Sequence, residues 1–432
     1  MAATALLIGR AVQINDGYFN VTALWLITAA IAVCAIATLF PPIEALESMP
    51  PQVPVVLLAL AVVAETVMLV RGTAMASSGI ACVGLLALMQ AFDLGRLRVP
   101  LATLTVVVFS FVASVVFWRT LKSPPIDVFV FQQTGAANLL DAINPYLPGY
   151  PNLYRPDQVF YGPGVVDANN RLTVGLPYPP LSLLISMPAY LLGGDIRYAD
   201  VAAVAVAAWL MVVWRPNRWT ALAAMLFLLT PRVLFVIELA WSETLLVLMF
   251  SLVMVCALRR RAALPYALGL FIGVKQSAVL ALPFVTFLLA PADSWTNIAR
   301  VVGKALLLAV IVTLPFFLWN PAAFWRSVVE FQFIQPMRSD ALSHLVWMRE
   351  RLPQPLVALT PFVLLVVTTA LVLWRCPRTP AHFAAATTLV WLVFVAFNKQ
   401  AFCNYYYYAI GTASWAAVAA SVDGDRREVT DK

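Results

Sequence analysis

Apolar runs recur along the whole sequence, and most are long enough to cross a lipid bilayer as a helix. About 20 predominantly apolar residues span the roughly 30 Å of hydrocarbon in a membrane. The runs are continuous rather than alternating, which disfavours membrane strands. They lie at about residues 21–40, 52–70, 75–92, 100–118, 177–193, 199–214, 219–237, 244–258, 264–290, 303–319, 355–374, 381–397 and 401–421.

The composition supports a membrane protein and argues against a nucleic-acid binder. Of the 432 residues, 62% are hydrophobic and 11% are charged, whereas an average soluble domain has about 25% charged residues. The net charge of +7 comes from 28 Lys and Arg that are scattered between the apolar runs, not gathered in one basic stripe. We therefore predict an all-α, multi-pass protein of the plasma (inner) membrane with about 11–13 transmembrane helices. The first run, which begins near Val21, lacks a small-residue cleavage site and is expected to be an anchor.

Two hydrophilic stretches interrupt the apolar pattern and divide the chain. Lys and Arg at the run ends are expected to face the cytoplasm, which places both stretches outside. The predicted organisation is N-terminal transmembrane helices at 1–120, a first extracytoplasmic loop at 121–176, a central transmembrane module at 177–319, a second extracytoplasmic loop at 320–354, C-terminal transmembrane helices at 355–421 and a cytoplasmic tail at 422–432. Short helices are expected in both loops.

Asp127 is the clearest candidate for a catalytic acidic residue. It follows Pro124 and Pro125, a few residues beyond the fourth apolar run. A carboxylate at the membrane edge could act as a general base on a lipid-borne substrate. The alternative is a helix cap for residues 128–140, because Asp is favoured at helix starts.

Two lysines lie in matching Lys-Gln dipeptides. Lys275 is flanked on both sides by apolar residues, so its ammonium must face protein, water or phosphate. It divides the run 264–290, which we expect to form two short helices that meet near the outer surface. Lys399, Arg338 and Arg232 could join Lys275 in binding a donor phosphate, or Lys399 could snorkel to the interface.

Other polar residues allow a functional and a structural interpretation. Glu238 and Glu243 would lie apart on a helix and form no obvious pair, and Glu243 fits an outer turn equally well. His344 and Asp340 could share one helical face, although a lone histidine is more often structural. Tyr405 begins a run of four tyrosines, some of which we expect in the aromatic belt at the membrane interface.

The pattern resembles the GT-C superfamily of membrane glycosyltransferases, and within it the polyprenyl-phosphate-mannose users related to glycosyltransferase family 87. The likeness extends over about residues 121–410 and rests on an acidic residue outside an early membrane helix, an Asn-Pro-Tyr turn, a Tyr-Pro-Pro-Leu helix entry and the Lys-Gln dipeptides. These are Asp127, Asn144 to Tyr146, Tyr178 to Leu181, Lys275 and Lys399. In many members the loop follows the first membrane helix, whereas here three apolar runs come earlier.

The resemblance implies a catalytic role for Asp127 and a sugar transfer at the outer face during cell-envelope synthesis. The expected donor is a polyprenyl-phosphate-linked mannose or other sugar, and the expected acceptor is a lipid or glycan. We expect acceptor or sugar contacts at Asn144, Tyr146, Tyr178, Glu238, His344 and Tyr405. No cofactor is assigned from the sequence and no metal cluster is evident, although a loop aspartate could recruit a divalent cation. The chief alternative is a transporter or flippase of lipid-linked sugars, which should show inverted repeats; none is evident in the sequence.

Overall fold

The computed structural model describes residues 1–40, 52–72, 77–92, 95–119, 123–155, 158, 160–259, 261–289, 293–349 and 351–430. Within these ranges the chain is helical and contains no strand, as the sequence predicts, and only isolated bridges such as Pro151 with Arg171 join extended segments. The last two residues of the predicted tail lie outside the described residues, and a helix continues to Thr430.

The described part of the chain forms nineteen α-helices, α1 to α19 in chain order. They are α1 (Ala2–Ile14), α2 (Val21–Leu39), α3 (Gln52–Gly72), α4 (Ser77–Met89), α5 (Arg98–Arg119), α6 (Asp127–Leu140), α7 (Pro180–Gly193), α8 (Arg197–Val213), α9 (Arg218–Leu228), α10 (Val233–Glu238), α11 (Glu243–Arg259), α12 (Leu264–Val274), α13 (Trp295–Trp319), α14 (Pro321–Trp325), α15 (Phe331–Ile334), α16 (His344–Met348), α17 (Gln354–Arg375), α18 (Pro380–Ala396) and α19 (Cys403–Thr430). A 3₁₀ helix at Gln276–Leu288 and a π-helical turn at Arg326–Glu330 complete the larger elements.

Five described helices are long and apolar enough to cross a membrane, and the bent pair α7 and α8 makes a sixth. The outer helices α13 and α17 bury only 11% and 17% of their apolar windows. Their remaining surface exposes large apolar side chains such as Leu318 and Val366, which suits contact with lipid tails. These features are those of a multi-pass membrane protein.

Shorter apolar helices account for much of the remaining hydrophobic sequence. Helices α9 and α18, with 11 and 17 residues, are buried on nearly every side, as expected for helices that are hydrophobic all round. Helix α1 precedes the first predicted run, and its 13 residues form a short helix packed on α2 and α19. A hydropathy scan cannot distinguish such inner helices from lipid-facing spans, because both are uniformly apolar.

Two breaks in the helices occur where the sequence predicts them. Helix α12 ends at Val274, Lys275 is extended with φ −156° and ψ 139°, and the 3₁₀ helix follows. The prediction of two short helices joined at Lys275 is therefore confirmed. Helix α7 starts at Pro180 and is capped by Gly194 in the left-handed conformation, and the chain then bends by 114° into α8.

The two predicted loops pack on each other and form a second, smaller hydrophobic core. Tyr146 of the first loop is fully buried, with its ring 4.7 Å from that of Phe324 in α14. Gly175 donates its backbone N–H to the Ser327 hydroxyl at 2.8 Å. Because these contacts join segments far apart in sequence, the loops form one structural unit above α7 and α12.

Candidate active site

Asp127 is the first residue of α6, and both of its carboxylate oxygens accept hydrogen bonds. Oδ1 accepts from the backbone N–H of Val128 at 2.8 Å, and Oδ2 accepts from the Tyr161 hydroxyl at 2.8 Å. The backbone N–H of Asp127 donates to the Tyr154 hydroxyl at 3.3 Å. The positive end of the helix dipole favours a carboxylate at this position. The helix begins at Asp127 itself and its N-cap is Ile126, so Asp127 is not the cap of a helix over 128–140, and it remains partly exposed.

The surroundings of Asp127 act on its acidity in opposite directions. Burial raises the pKa of this carboxyl group above its ordinary value. Hydrogen bonds from Tyr161, Tyr154 and Val128, and the positive charge of Arg338, lower the pKa and oppose that rise. A carboxylate with a raised pKa is a better proton acceptor than a fully solvated one. The site therefore suits a general base whose ionised form is held by two tyrosines.

Lys275 reaches the same region from the break between α12 and the 3₁₀ helix. Its Nζ donates to Glu243 Oε1 at 2.6 Å and to Ser242 Oγ at 3.1 Å. The neighbouring Gln276 fixes this break, because its side-chain amide donates to the Pro177 carbonyl at 2.8 Å. Lys275 is 6% exposed, so its ammonium is almost entirely enclosed by protein.

Tyr178 joins the acidic and the basic parts of the site. The Lys275 ammonium lies 5.2 Å from the centroid of the Tyr178 ring. Burial raises the pKa of the Tyr178 hydroxyl well above its ordinary value, and the neighbouring Tyr405, Asp127 and Glu243 raise the pKa further. Asp127 and the Lys275–Glu243 pair therefore share Tyr178 as a neighbour.

Four partly exposed tyrosines surround these charged groups. We call Tyr154, Tyr161, Tyr178 and Tyr405 the tyrosine cluster. The rings of Tyr154 and Tyr161 lie 5.5 Å apart, and the Tyr405 ring centroid is 5.5 Å from Lys275 Nζ. Aromatic faces with hydroxyl groups offer both apolar contact and hydrogen bonds to a ligand.

Arg338 links the two loops beside this cluster. Its guanidinium lies 3.6 Å from the centroid of the Phe160 ring and forms two hydrogen bonds with Asp340, at 2.8 Å and 2.6 Å. Its positive charge also acts on Asp127. Of the predicted phosphate-binding residues, Arg338 thus acts on Asp127 itself, and Lys275 shares the neighbour Tyr178 with it.

Lys399 and Arg232 have other partners. The Lys399 ammonium donates to the backbone carbonyls of Phe333 at 3.0 Å and Gln335 at 2.7 Å, so it supports the second loop. Burial lowers the pKa of this ammonium. Arg232 forms an ion pair with Asp16 in the connection between α1 and α2. Any phosphate bound by these two cations would have to compete with these contacts.

The Asn-Pro-Tyr turn lies under the site rather than at its surface. Asn144 is 3% exposed and its side-chain oxygen accepts from the backbone N–H of Tyr146 at 2.9 Å. The buried Tyr146 donates its hydroxyl to the Tyr178 carbonyl at 2.9 Å. Asn144 and Tyr146 therefore support Tyr178 from below the surface. Of these three predicted acceptor or sugar contacts, Tyr178 is the one at the site.

His344 and Glu238 lie apart from the tyrosine cluster. His344 Nε2 is 3.2 Å from the Thr28 hydroxyl, and the imidazole stacks on Phe397 with a centroid distance of 4.7 Å. Asp340 precedes α16 and pairs with Arg338, so the expected shared helical face with His344 does not form. Glu238 ends α10 and is partly exposed.

The four consecutive tyrosines divide between the site and the core. Tyr405 is partly exposed and faces Lys275, but Tyr406, Tyr407 and Tyr408 are at most 1% exposed. The prediction that some of them belong to an interfacial aromatic belt is wrong for these three. They fill the space between α19 and the helices around it, since α19 is an inner helix.

Sequence reasoning missed Tyr154, Tyr161 and the role of Glu243 beside Lys275. The two tyrosines come from an irregular segment whose path no periodicity predicts. A signal for Glu243 did exist, because opposite charges in two different apolar runs should pair to avoid uncompensated burial. Among the described residues, no group of three or more His, Cys, Asp or Glu side chains could hold a metal ion.

Comparisons with known proteins give one structural likeness. No protein-family model matches the chain, and no curated protein matches it. The chain is similar to the crystal structure of ArnT from Cupriavidus metallidurans, which was solved bound to undecaprenyl phosphate. The identity is 19%, the TM-score is 0.44, and the match covers 73% of this chain and 59% of that one. The chain thus corresponds to about three fifths of the length of that protein.

Proposed function

We propose that this protein is a membrane glycosyltransferase that moves a sugar, mannose or another pentose or hexose, from a polyprenyl-phosphate donor to a lipid or glycan acceptor. The observation that carries the proposal is that Asp127 and the Lys275–Glu243 pair both act on Tyr178: the two carboxylates raise the pKa of its hydroxyl, and the Lys275 ammonium lies 5.2 Å from its ring centroid. A base and a phosphate-binding cation around one accessible tyrosine cluster are the groups that such a transfer needs. The sequence resemblance to the GT-C superfamily supports the same proposal.

The proposed reaction is a single displacement. Asp127 accepts the proton of an acceptor hydroxyl while the acceptor oxygen attacks the anomeric carbon of the donor sugar. The bond between that carbon and the phosphate oxygen breaks, and polyprenyl phosphate leaves with the electron pair. Lys275, with Arg338 nearby, stabilises the negative charge that builds on the phosphate. A divalent cation recruited by Asp127 would add to this stabilisation.

The expected stereochemical outcome is inversion. A retaining enzyme of the two-carboxylate type needs a second carboxylate as nucleophile at about 5–5.5 Å from the first. Two other carboxylates are described at the site: Asp340 is bonded twice to Arg338, and Glu243 is 0% exposed and bonded to Lys275 and Asn404. Both are therefore unsuited to attack the sugar, and the displacement leaves one inverted centre.

The donor class follows from the membrane setting. Nucleotide sugars are confined to the cytoplasm, so an enzyme at the outer face must take its sugar from a lipid phosphate. A single long-chain phosphate can lie with its chain among the lipid tails and its head at the protein. The proposed localisation is the plasma membrane, with the site on the extracytoplasmic side.

The test is a transfer assay with purified protein in detergent or vesicles. A labelled polyprenyl-phosphate sugar is incubated with membrane lipids or glycans, and the product is analysed for a new glycosidic bond. Asp127→Asn should lower kcat by about 10²- to 10⁴-fold while leaving the thermal unfolding profile close to wild type. The carboxamide retains an acceptor for Val128, so the fold should persist.

The control is Asp293→Asn, at a partly exposed position just before α13 where the carboxylate accepts a hydrogen bond from the Asn297 side chain at 3.1 Å. It should transfer sugar at the wild-type rate. Full activity of the Asp127→Asn variant would contradict the catalytic assignment. Movement of the lipid-linked sugar across vesicles without bond formation would instead indicate a flippase.

A further inference from the structure

Glu243 is a buried carboxylate for which the proposed reaction has no direct use. It begins α11, is 0% exposed, and pairs with Lys275 beside the tyrosine cluster. Its Oε1 accepts from Lys275 Nζ at 2.6 Å and from Asn404 Nδ2 at 2.8 Å. Burying a carboxylate is costly unless it is paired and hydrogen-bonded. Its position therefore calls for an explanation beyond packing.

We infer that Glu243 is a positioning residue that holds the Lys275 ammonium toward the phosphate of the donor. This inference rests on the proposed function and deepens it. Glu243 does not touch the substrate; it acts through Lys275. Asn404, at the start of α19, holds the same carboxylate oxygen from the other side and keeps Glu243 in place.

The hydrogen-bond inventory of Lys275 supports this role. An ammonium group has three N–H donors. Two of them are used by Glu243 Oε1 and Ser242 Oγ, which leaves one for a ligand. The ammonium lies 5.2 Å and 5.5 Å from the ring centroids of Tyr178 and Tyr405, both of which are partly exposed. The remaining N–H is therefore available beside these two rings of the tyrosine cluster.

The backbone explains why a lysine here needs such support. Lys275 is extended between two short helices, so the helix backbone does not set the direction of its side chain. Four rotatable bonds give a free lysine many conformations, and fixing them has an entropic cost. The ion pair with Glu243 fixes the ammonium before the donor binds. The side-chain entropy is therefore lost on folding, and its loss does not weaken donor binding or transition-state stabilisation.

The pairing also changes how the site stabilises charge. Lys275 and Glu243 together carry no net charge, so their long-range attraction for an anion is weak. The anion is recognised mainly through a directed hydrogen bond from the Lys275 ammonium. That hydrogen bond strengthens as negative charge builds on the leaving phosphate. Removing Glu243 should therefore affect kcat more than the KM for the donor.

The experiment is a double-mutant cycle on transfer kinetics. Glu243→Gln should lower kcat by about 10- to 100-fold, as expected when a catalytic group is misplaced by about 1 Å. Glu243→Asp should recover part of the loss. In a Lys275→Met background, the same Glu243→Gln change should lower kcat no further, because the residue acts through Lys275. Equal losses in both backgrounds, or wild-type kcat in Glu243→Gln, would overturn the inference.

A second measurement covers the case in which a single variant fails to fold. Lys275→Met leaves Glu243 buried without its counter-charge, whereas the double variant removes both charges and should unfold at a higher temperature than Lys275→Met alone. Binding is then followed as the thermal stabilisation of each protein by added polyprenyl phosphate. Glu330→Gln changes an exposed carboxylate, 43% accessible, and serves as the matched control with wild-type kinetics and binding.

The binding measurement separates the two proposals. If wild type transfers sugar but Glu243→Gln matches it in kcat and in binding, the positioning role fails and the proposed function stands. If wild type binds polyprenyl phosphate without transferring sugar, and Glu243→Gln weakens that binding at least 10-fold, the positioning role stands and the transferase proposal fails. If wild type shows neither binding nor transfer, both fail.

Discussion

A methyl group added at Gly175 tests whether the packing around Tyr146 sets the position of Tyr178 and hence the rate of sugar transfer. A Cβ at this position would lie 2.3 Å from both the carbonyl carbon and the oxygen of Tyr146, whereas ordinary contacts are 3.4–4 Å. The two backbones would have to separate by about 1 Å, and overpacking of this kind costs about 1–3 kcal/mol. We expect Gly175→Ala to lower the thermal unfolding temperature in detergent.

The same displacement should reach the active residues. Tyr146 donates its hydroxyl to the Tyr178 carbonyl, and Tyr178 is a neighbour of both Asp127 and Lys275. A shift of about 1 Å at a positioned group can cost on the order of 100-fold in rate. We therefore expect sugar transfer to fall by about that factor at a temperature where the variant is still folded.

Gly303→Ala provides the matched control. A Cβ at Gly303 would meet nothing within 4 Å, and alanine is the better helix former, so α13 should be unchanged or slightly more stable. Thermal unfolding and initial transfer rates are compared for the two variants. If Gly175→Ala unfolds and transfers like Gly303→Ala, the proposed mechanical link from Tyr146 to Tyr178 is wrong.

Three further substitutions test individual contacts. Tyr161→Phe removes a hydrogen bond that lowers the pKa of Asp127; that pKa should rise, so the acidic limb of the kcat/KM profile should move to higher pH, and an unmoved limb would exclude Tyr161 as a partner of the base. Lys399→Met removes two bonds to backbone carbonyls and should destabilise the fold by about 1–3 kcal/mol with little change in donor KM; a large rise in KM at unchanged stability would instead favour the phosphate-binding role. Arg338→Lys loses the two-bond contact with Asp340 and should reduce transfer at least several-fold; wild-type kinetics would remove Arg338 from the site.

Several local features follow from sequence because their causes are local. Pro180 starts α7 and Gly194 ends it in the left-handed conformation, as the preferences of proline and glycine predict. Lys275 breaks its apolar run because an ammonium cannot remain among lipid tails. Asp195 and Arg197, two residues apart, form an ion pair at 2.6 Å.

Features that depend on distant contacts were predicted less well. Tyr406 to Tyr408 are core residues because α19 lies inside the bundle, a fact that no property of the tetrapeptide reveals. Lys399 resembles Lys275 in sequence, yet one contacts backbone carbonyls and the other a carboxylate. The partner of each lysine is set by how the helices pack, not by its dipeptide.

The sequence alone determined that this chain is helical and enters the membrane, because hydrophobicity and helix length act residue by residue and need no knowledge of neighbours. It also marked Asp127 and Lys275, since a charge beside or within apolar sequence is costly wherever it lies. Only the tertiary structure decided that Tyr161 holds the carboxylate and that Glu243 holds the lysine. Those contacts span 34 and 32 residues, and burial forces charged groups to find partners without specifying which ones.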